Sequence, residues 1–599
     1  MNTSRFFMLI AISFSLLTCK EDIGGSRFTF TEDLVFTYLE KDPELYSEFV
    51  ALLKASGVAD LLSAYGTYTV FAPTNEAVRK YYTETGTSLE QMTEEEIRDF
   101  TFNHILPIEL LSLNFPQGVV GTATMSEKFL NITYSTNEDT RAVIINDNAK
   151  VIILDQEVHN GIVHTVDAVI LSSKIQLPEI IEADGRFNLF TKALFMTGMS
   201  DSLRMMDDKT YVSGTVYAQR VGRYFYTPPF RKIGATALVE SDSVYAANGI
   251  NNIDDLKAYA ATIYDEMYPQ DRNVTDVTNR RNSLNRFVSY HLMNRVQAAN
   301  EFITEDIEYF SVRGTIINQY IEMMCPNTLL EIQTDNLINK RKNGDAIRFL
   351  TVNHEAMNGM FHEIDGILTY DRGVEDDVLN KRLRMDIASM IPELITNKLR
   401  RKDIGDNDRW WIPAGYMSTL TFDEATQPNY ISCTCWSNYE GDEFMMGGKF
   451  DLTLRIPPIP AGTYEIRLGY SAYGNRGVDQ IYFDNMPCGI PVNMNLTADN
   501  ALIGWKADNT TEDDGIENDK MMKNRGYLKG PTTIWCSNQT LVMRNDSRAL
   551  RKVLLTKTLD KTEAHYLRIK SVEERTDRQA HLDFMEFVPT YYLENEKRD

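Results

Sequence analysis

Asn160-Gly161-Ile162-Val163-His164-Thr165-Val166-Asp167-Ala168-Val169-Ile170 returns later in the chain as Asn358-Gly359-Met360-Phe361-His362-Glu363-Ile364-Asp365-Gly366-Ile367-Leu368. Asn, Gly, His and Asp recur at the same offsets, and the two histidines stand about one ordinary domain length apart, so the chain carries a degenerate duplication of a whole domain. Asn-Gly suits the two positive-φ positions of a type I′ turn. The phrase is therefore expected to open with a hairpin turn and continue as a strand, with Ile162, His164, Val166 and Ala168 on one face and Val163, Thr165, Asp167 and Val169 on the other. A histidine set among aliphatic residues is expected to be buried and hydrogen-bonded.

Two further blocks precede the phrase in both copies. Asn103-His104-Ile105-Leu106 and Tyr290-His291-Leu292-Met293 each sit late on an amphipathic helix. In the first, Thr93 and Glu96 form a capping box, after which Ile97, Phe100 and His104 share a face; Leu284, Phe287, Val288, His291 and Leu292 repeat that stripe. Upstream, Tyr68-Thr69-Val70-Phe71-Ala72-Pro73-Thr74-Asn75-Glu76-Ala77 reads as a strand stopped by Pro73 and a helix capped by Thr74. Its counterpart, Thr236 to Tyr245, has lost the Ala-Pro-Thr turn, and Leu238 to His291 is longer than Val70 to His104. In this order the blocks resemble the fasciclin domain. The resemblance implies a first such domain over 31–173 and a divergent second, with insertions, over 174–372, each a wedge of twisted strands packed on helices. It also implies adhesion or ligand binding rather than catalysis. His104, His164, His291 and His362 become the motif histidines, expected to be structural, and the family's proposed integrin contacts would fall on His291 and Asp365.

At the N-terminus, Arg5 precedes an apolar or small run, Phe6 to Leu17, too short to span a bilayer, and then Leu16-Leu17-Thr18-Cys19. Those four residues resemble a bacterial lipobox, which implies removal of signal peptide 1–18 and lipidation of Cys19, with the membrane reached through the lipid anchor alone. Lys20-Glu21-Asp22 resembles the signal that sends Bacteroidetes lipoproteins to the outside of the outer membrane. The alternative is a plain secretory signal with an incidental cysteine. Residues 19–30 are read as a tether and 591–599 as a tail.

The 599 residues are 43% hydrophobic and 24% charged, ordinary for a multidomain globular chain, and the net charge of −24 argues against nucleic acid, whose polyanionic backbone demands clustered Lys and Arg. Of six cysteines, Cys19 is assigned to lipid; Cys325, Cys433, Cys435, Cys488 and Cys536 are an odd remainder, which argues against a complete disulfide framework. Cys433-x-Cys435 matches no standard zinc spacing, so these are read as small buried hydrophobes.

After Arg372 the pattern changes. Leu379, Leu383, Ile387, Met390, Ile391, Leu394 and Ile395 recur at helical spacing, predicting a helical connector over 373–402. From Asp403 the period becomes two: Phe450 to Ile456, Tyr464 to Tyr470 and Gln480 to Phe483 read as strands between Pro- or Gly-bearing turns, predicting an all-β sandwich over 403–590. The fold class is thus multidomain, α+β and then all-β. Pro460 to Leu468, Val478 to Asp484 and the closing Asp583-Phe584-Met585-Glu586-Phe587-Val588-Pro589 resemble galactose-binding-like jelly rolls, including carbohydrate-binding modules. All five tryptophans, Trp410, Trp411, Trp436, Trp505 and Trp535, lie in this region. Trp436, Tyr439, Tyr473, Arg476 and Trp505 fall in apparent loops and are the candidate ligand-binding residues, aromatic faces being suited to sugar rings; the alternative is that the tryptophans fill the core. Asp508 to Asp519 is acidic enough to suggest a structural calcium, but lacks the EF-hand pattern.

No Gly-x-Ser-x-Gly elbow, His-Glu-x-x-His, P-loop or dinucleotide fingerprint is present, and no cofactor or catalytic residue is expected. The leading expectation is a non-catalytic surface lipoprotein that captures a ligand, in first place a glycan, beside an outer-membrane nutrient importer of transporter barrel and lipoprotein lid, partners implied by the Bacteroidetes resemblance. The alternatives are an adhesive protein-docking component and an unrecognised glycan hydrolase.

Overall fold

The computed structural model describes residues 32–594 and 596, apart from 65, 121, 127, 138–139, 147, 172–174, 212–223, 228–230, 303–317, 334, 401–408, 433–437, 533–542 and 574–577. The chain divides into two compact units, Met1–Ser172 and Ser173–Asp599.

In the first unit a seven-stranded sheet runs in the spatial order Ile105–Leu106, Tyr68–Pro73, Gly161–Val166, Ala149–Val158, Thr140–Ile145, Asn131–Asn137, Gly118–Val119. Its one parallel pairing joins Tyr68–Pro73 to Gly161–Val166, in register from Tyr68 opposite Gly161 to Pro73 opposite Val166. Every residue of Gly161–Val166 is buried because both faces are covered. Val70, Ala72 and Val163 pack on helices that contribute Phe49, Leu52 and Ile97, whereas Phe71 and Val166 join Leu106, Ile132 and Ile145 on the other side. The helices start as their sequences demand. Thr93 accepts from the Glu96 N–H while Glu96 accepts from the Thr93 N–H, and Thr74 caps Asn75–Thr85 by accepting from the Ala77 N–H.

The second unit repeats this sheet strand for strand: Leu292–Met293, Ala235–Glu240, Gly359–Ile364, Ile347–Ala356, Leu337–Ile338, Leu329–Gln333, Gln319–Glu322, again with the second and third strands parallel. The lost Ala-Pro-Thr turn is replaced by Ser241, whose side chain does not cap Asp242–Ala247, and the extra length is taken up largely by the helix Ile253–Met267.

Three further sheets complete this unit. One has the order Leu383–Asp386, Phe584–Pro589, Gly462–Ser471, Ala549–Leu559, Tyr527–Lys529. A second runs Leu420–Phe422, Asp451–Ile459, Glu563–Ser571, Val478–Phe483, Met486–Pro487, with Val492–Asn493 added to Val478–Phe483. The two are brought together by Phe483 of one against Phe587 of the other, ring centroids 6.2 Å apart. The third has the order Gln579–Leu582, Asp442–Gly447, Pro428–Ser432, Arg409–Trp411, Tyr224–Tyr226. The closing motif explains how the chain passes between sheets: Gln579–Leu582 and Phe584–Pro589 belong to different ones, and the corner residue Asp583 donates its N–H to Gly469 O and accepts from the Tyr439 N–H. Glu586, fully buried, is bonded by Arg384, Arg467 and Arg551. Burial alone would raise its carboxyl, but the three guanidiniums outweigh that and hold it well below the usual carboxylate range.

Three expectations are corrected here. The hairpin loops are His159–Asn160 and Met357–Asn358, because Val158 pairs with Gly161 and Ala356 with Gly359. Asn-Gly is therefore no type I′ pair; Gly161, at φ 153°, is required because a Cβ there would stand 1.9 Å from Tyr68 O on the parallel neighbour. The connector is not one helix. Residues Val374–Leu379, Ala388–Met390 and Pro392–Thr396 form single turns, and Leu383–Asp386 is a strand buried on both sides that pairs with Phe584–Pro589. Apolar residues covered from all directions imitate a helical stripe without making one. The all-β region also draws on strands outside 403–590, since Tyr224–Tyr226 runs parallel to Arg409–Trp411. Cys19 and the proposed signal, with Cys433, Cys435, Trp436, Trp535 and Cys536, lie outside the described residues. Among those described, Cys325 and Cys488 are free and buried, and no helix is long and apolar enough to cross a membrane.

Candidate functional site

The four motif histidines are all buried, and their ring nitrogens face hydrogen-bond partners inside the fold. His104 donates from Nδ1 to Phe100 O, 2.7 Å, and accepts at Nε2 from the Ile170 N–H, 3.0 Å, tying the helix Glu94–Asn103 to the end of the closing phrase. Burial pushes its pKa down to about 4. His291 makes the same Nδ1 bond, to Phe287 O, but its Nε2 meets Glu240 Oε1 at 2.8 Å, and Glu240 in turn accepts from the Leu368 N–H, the counterpart of Ile170. A carboxylate has been inserted into the link. His164 and His362 each pin a β-bulge: Nδ1 accepts from the N–H of Asp155 or Asn353, residues at φ 53° and 60°, while Nε2 donates to Leu110 O or Gln297 O. With both nitrogens bonded to backbone, neither offers chemistry to a substrate. Asp365, exposed, accepts from the Arg348 N–H as Asp167 does from Lys150.

Of the loop residues proposed for ligand contact, the structure brings two together. Tyr473, 55% exposed, and the half-buried Trp505 line one open cleft of about 620 Å³, with Thr497, Asp499, Lys506 and Arg548 as its polar lining. Tyr473 follows the strand Gly462–Ser471, and Trp505 lies on the segment between Val492–Asn493 and the helix Ile516–Asn524, so two loops of the all-β region converge there. Arg476 is corrected from ligand contact to support. It is 5% exposed, donates to Ser471 O, Asn475 Oδ1 and Gln579 Oε1, and places its guanidinium 5.8 Å from the Tyr473 ring centroid. Burial lowers its pKa to about 10. Tyr439 is corrected outright: it is a core residue, its ring 4.9 Å from that of Phe584, because the loop that carries it folds beneath the Asp583 corner. Lys506 and Arg548 carried no signal in the sequence; their place beside the aromatics depends on two loops meeting.

The acidic stretch Asp508 to Asp519 does not fit calcium. Asp508 accepts from Lys529 Nζ, 2.6 Å, and Arg544 Nε, 2.7 Å; Asp519 accepts from Arg544 Nη2, 2.6 Å; and Asp513 accepts from the Glu517 and Gly515 N–H groups. Cations of the chain already balance the carboxylates, and among the described residues no group of three or more His, Cys, Asp or Glu is placed to hold a metal ion.

Residues 44–172 match the fasciclin domain family. Protein sll1483 of Synechocystis sp. is 32% identical over 130 residues, covering 21% of this chain and 68% of that protein. Periostin of Homo sapiens is 23% identical over 149 residues, 25% of this chain and 17% of periostin. Among solved structures, a FAS1 domain pair from the insect cell adhesion molecule Fasciclin I is similar at 16% identity and a TM-score of 0.27, over 57% of this chain and 97% of that one.

Proposed function

We propose, because this chain belongs to the fasciclin-domain family, that it is a non-catalytic recognition protein in which the duplicated domains serve adhesion and the all-β region, read as a galactose-binding-like jelly roll, captures a glycan. One observation carries the second half: Tyr473 and Trp505, from separate loops, line a single cleft with hydroxyl, carboxylate, amine and guanidinium groups around them. Aromatic faces to stack on sugar rings and a few polar groups to orient hydroxyls are the chemistry such a ligand needs. Arg476 keeps Tyr473 in place from behind. In the same reading Cys19 carries the lipid, the protein stands on the outer face of an outer membrane, and its neighbours are a transporter barrel and lid lipoprotein.

A glycan array probed with the full chain tests the capture. Binding that falls at least about tenfold in Trp505→Ala and in Tyr473→Ala, each with unchanged circular dichroism, is the expected result. Equal binding by either variant, or none by the unsubstituted chain, removes the glycan from the proposal.

Adhesion through protein docking has its own support. Ile152, Ile153 and Leu154 are exposed on Ala149–Val158, and Leu350 is exposed on Ile347–Ala356, the same strand of the two repeated sheets. Apolar side chains open to solvent at matching positions suit a protein partner.

A further inference from the structure

A second cavity in the all-β region, about 310 Å³, lies where the helix Ile516–Asn524, the strands Tyr527–Lys529 and Ala549–Leu559 and the chain's last helix, Thr590–Leu593, meet. Six cationic side chains line it, Arg382, Lys520, Lys523, Lys529, Arg544 and Arg551, against two carboxylates, Asp519 and Glu596. In a chain of net charge −24 this is a local inversion of sign. With every paired carboxylate included, the balance stays positive: Asp508 and Asp519 serve Lys529 and Arg544; Glu586 serves Arg384, Arg467 and Arg551; Glu465 and Glu596 serve Arg382, Arg467 and Lys523; and Glu517 serves Lys520, so eight cations stand against six carboxylates. The Lys529 side chain is fully buried and that of Arg544 is 5% exposed, and both are held by Asp508 and Asp519 at the back of the cavity.

Glu596, just past the last helix, takes two 2.7 Å bonds from the buried guanidinium of Arg467, a bidentate grip on a carboxylate. Lys523, 35% exposed, reaches Glu596 only at 3.5 Å and Glu465 at 3.7 Å, and Lys520, 65% exposed, sits one turn before it, paired with Glu517. Leu528 and Leu593 add apolar surface. We propose that this cavity binds a doubly charged oxyanion, a sulfate or phosphate monoester, gripped by Lys520 and Lys523 in front of the paired Lys529 and Arg544, with the apolar wall against whatever carries the ester. The site adjoins the cleft of Tyr473, Lys529 Nζ standing 5.8 Å from the Trp505 ring centroid, and adds a requirement for charge that the cleft does not impose.

Isothermal titration of the full chain with sodium sulfate, sodium phosphate, glucose 6-sulfate and glucose 6-phosphate, each against sodium chloride at equal ionic strength, tests it. The expected result is saturable binding of at least one probe with one site per chain, weakened more than about tenfold in a Lys520→Ala, Lys523→Ala double variant whose circular dichroism is unchanged. Tighter binding of the sugar esters than of the inorganic ions assigns an esterified glycan, and equal binding assigns the free oxyanion. No saturable binding of any probe, or equal affinity in the double variant, overturns the proposal. Retained oxyanion binding in Tyr473→Ala, where neutral-glycan binding is lost, separates this site from the cleft.

Discussion

His104 joins a helix to the end of the closing phrase through two backbone bonds, and the one it accepts from the Ile170 N–H requires the neutral ring. With its folded pKa near 4 and an unfolded value near 6.5, the unfolded chain binds more protons between those pH values, so the histidine's contribution to stability is complete above pH 6.5 and declines as pH falls toward 4. A His104→Gln variant, which loses the bond to Phe100 O, is expected to unfold about 1–3 kcal/mol more easily at pH 7 and to approach the unsubstituted chain at pH 5. Urea midpoints at the two pH values measure this; a constant difference would mean that the ring does not titrate in this window. A residue pattern reported the histidines' burial but not their partners. That His164 holds Asp155 at a bulge is a matter of strand register, which residue spacing does not encode.

At the scale of the element, the strand Leu383–Asp386 shows why the boundary of the all-β region was not legible. Its four residues alternate apolar Leu383 and Met385 with charged Arg384 and Asp386, but the run is too short to stand out from the helical spacing of the apolar residues around it, and the charged face is buried as well, with Arg384 bonded to Glu586. Likewise Tyr224–Tyr226 comes from an insertion within the second repeat, yet it closes the sheet of Arg409–Trp411. A fragment of residues 403–599 lacks both strands and leaves Glu586 without Arg384, and breaking a buried ion cluster costs about 3–5 kcal/mol. Thermal unfolding followed by circular dichroism is expected to show a cooperative transition for residues 173–599 and none, or a markedly lower one, for 403–599. Equal melting of the two fragments would show the borrowed strands to be dispensable.

For the whole molecule, two compact units built on the same sheet predict two separable unfolding events. The motif asparagines mark them. Asn160 accepts from the Val35 N–H and donates to Leu62 O and Ala64 O, and Asn358 accepts from the Leu177 N–H and donates to Leu203 O. Each closes its own domain by holding the segment with which that domain begins. Asn160→Ala and Asn358→Ala, leaving buried backbone groups unpaired, are each expected to cost about 3 kcal/mol. In calorimetry the first should lower only the transition of the first unit and the second only that of the other. A single transition lowered by both variants would mean that the units unfold together.

The amino-acid order alone settled the duplication, the fasciclin likeness and the β-rich end, because each rests on local periodicity, capping or a repeated phrase that short-range physics must obey. Only the tertiary structure decided that Tyr439 is core while Tyr473 and Trp505 share a cleft, that Arg384 belongs to an all-β region begun before residue 403, and that six cations line one cavity in an acidic chain. Those facts depend on distant segments meeting, and burial and charge balance are properties of the assembled surface rather than of any stretch of chain.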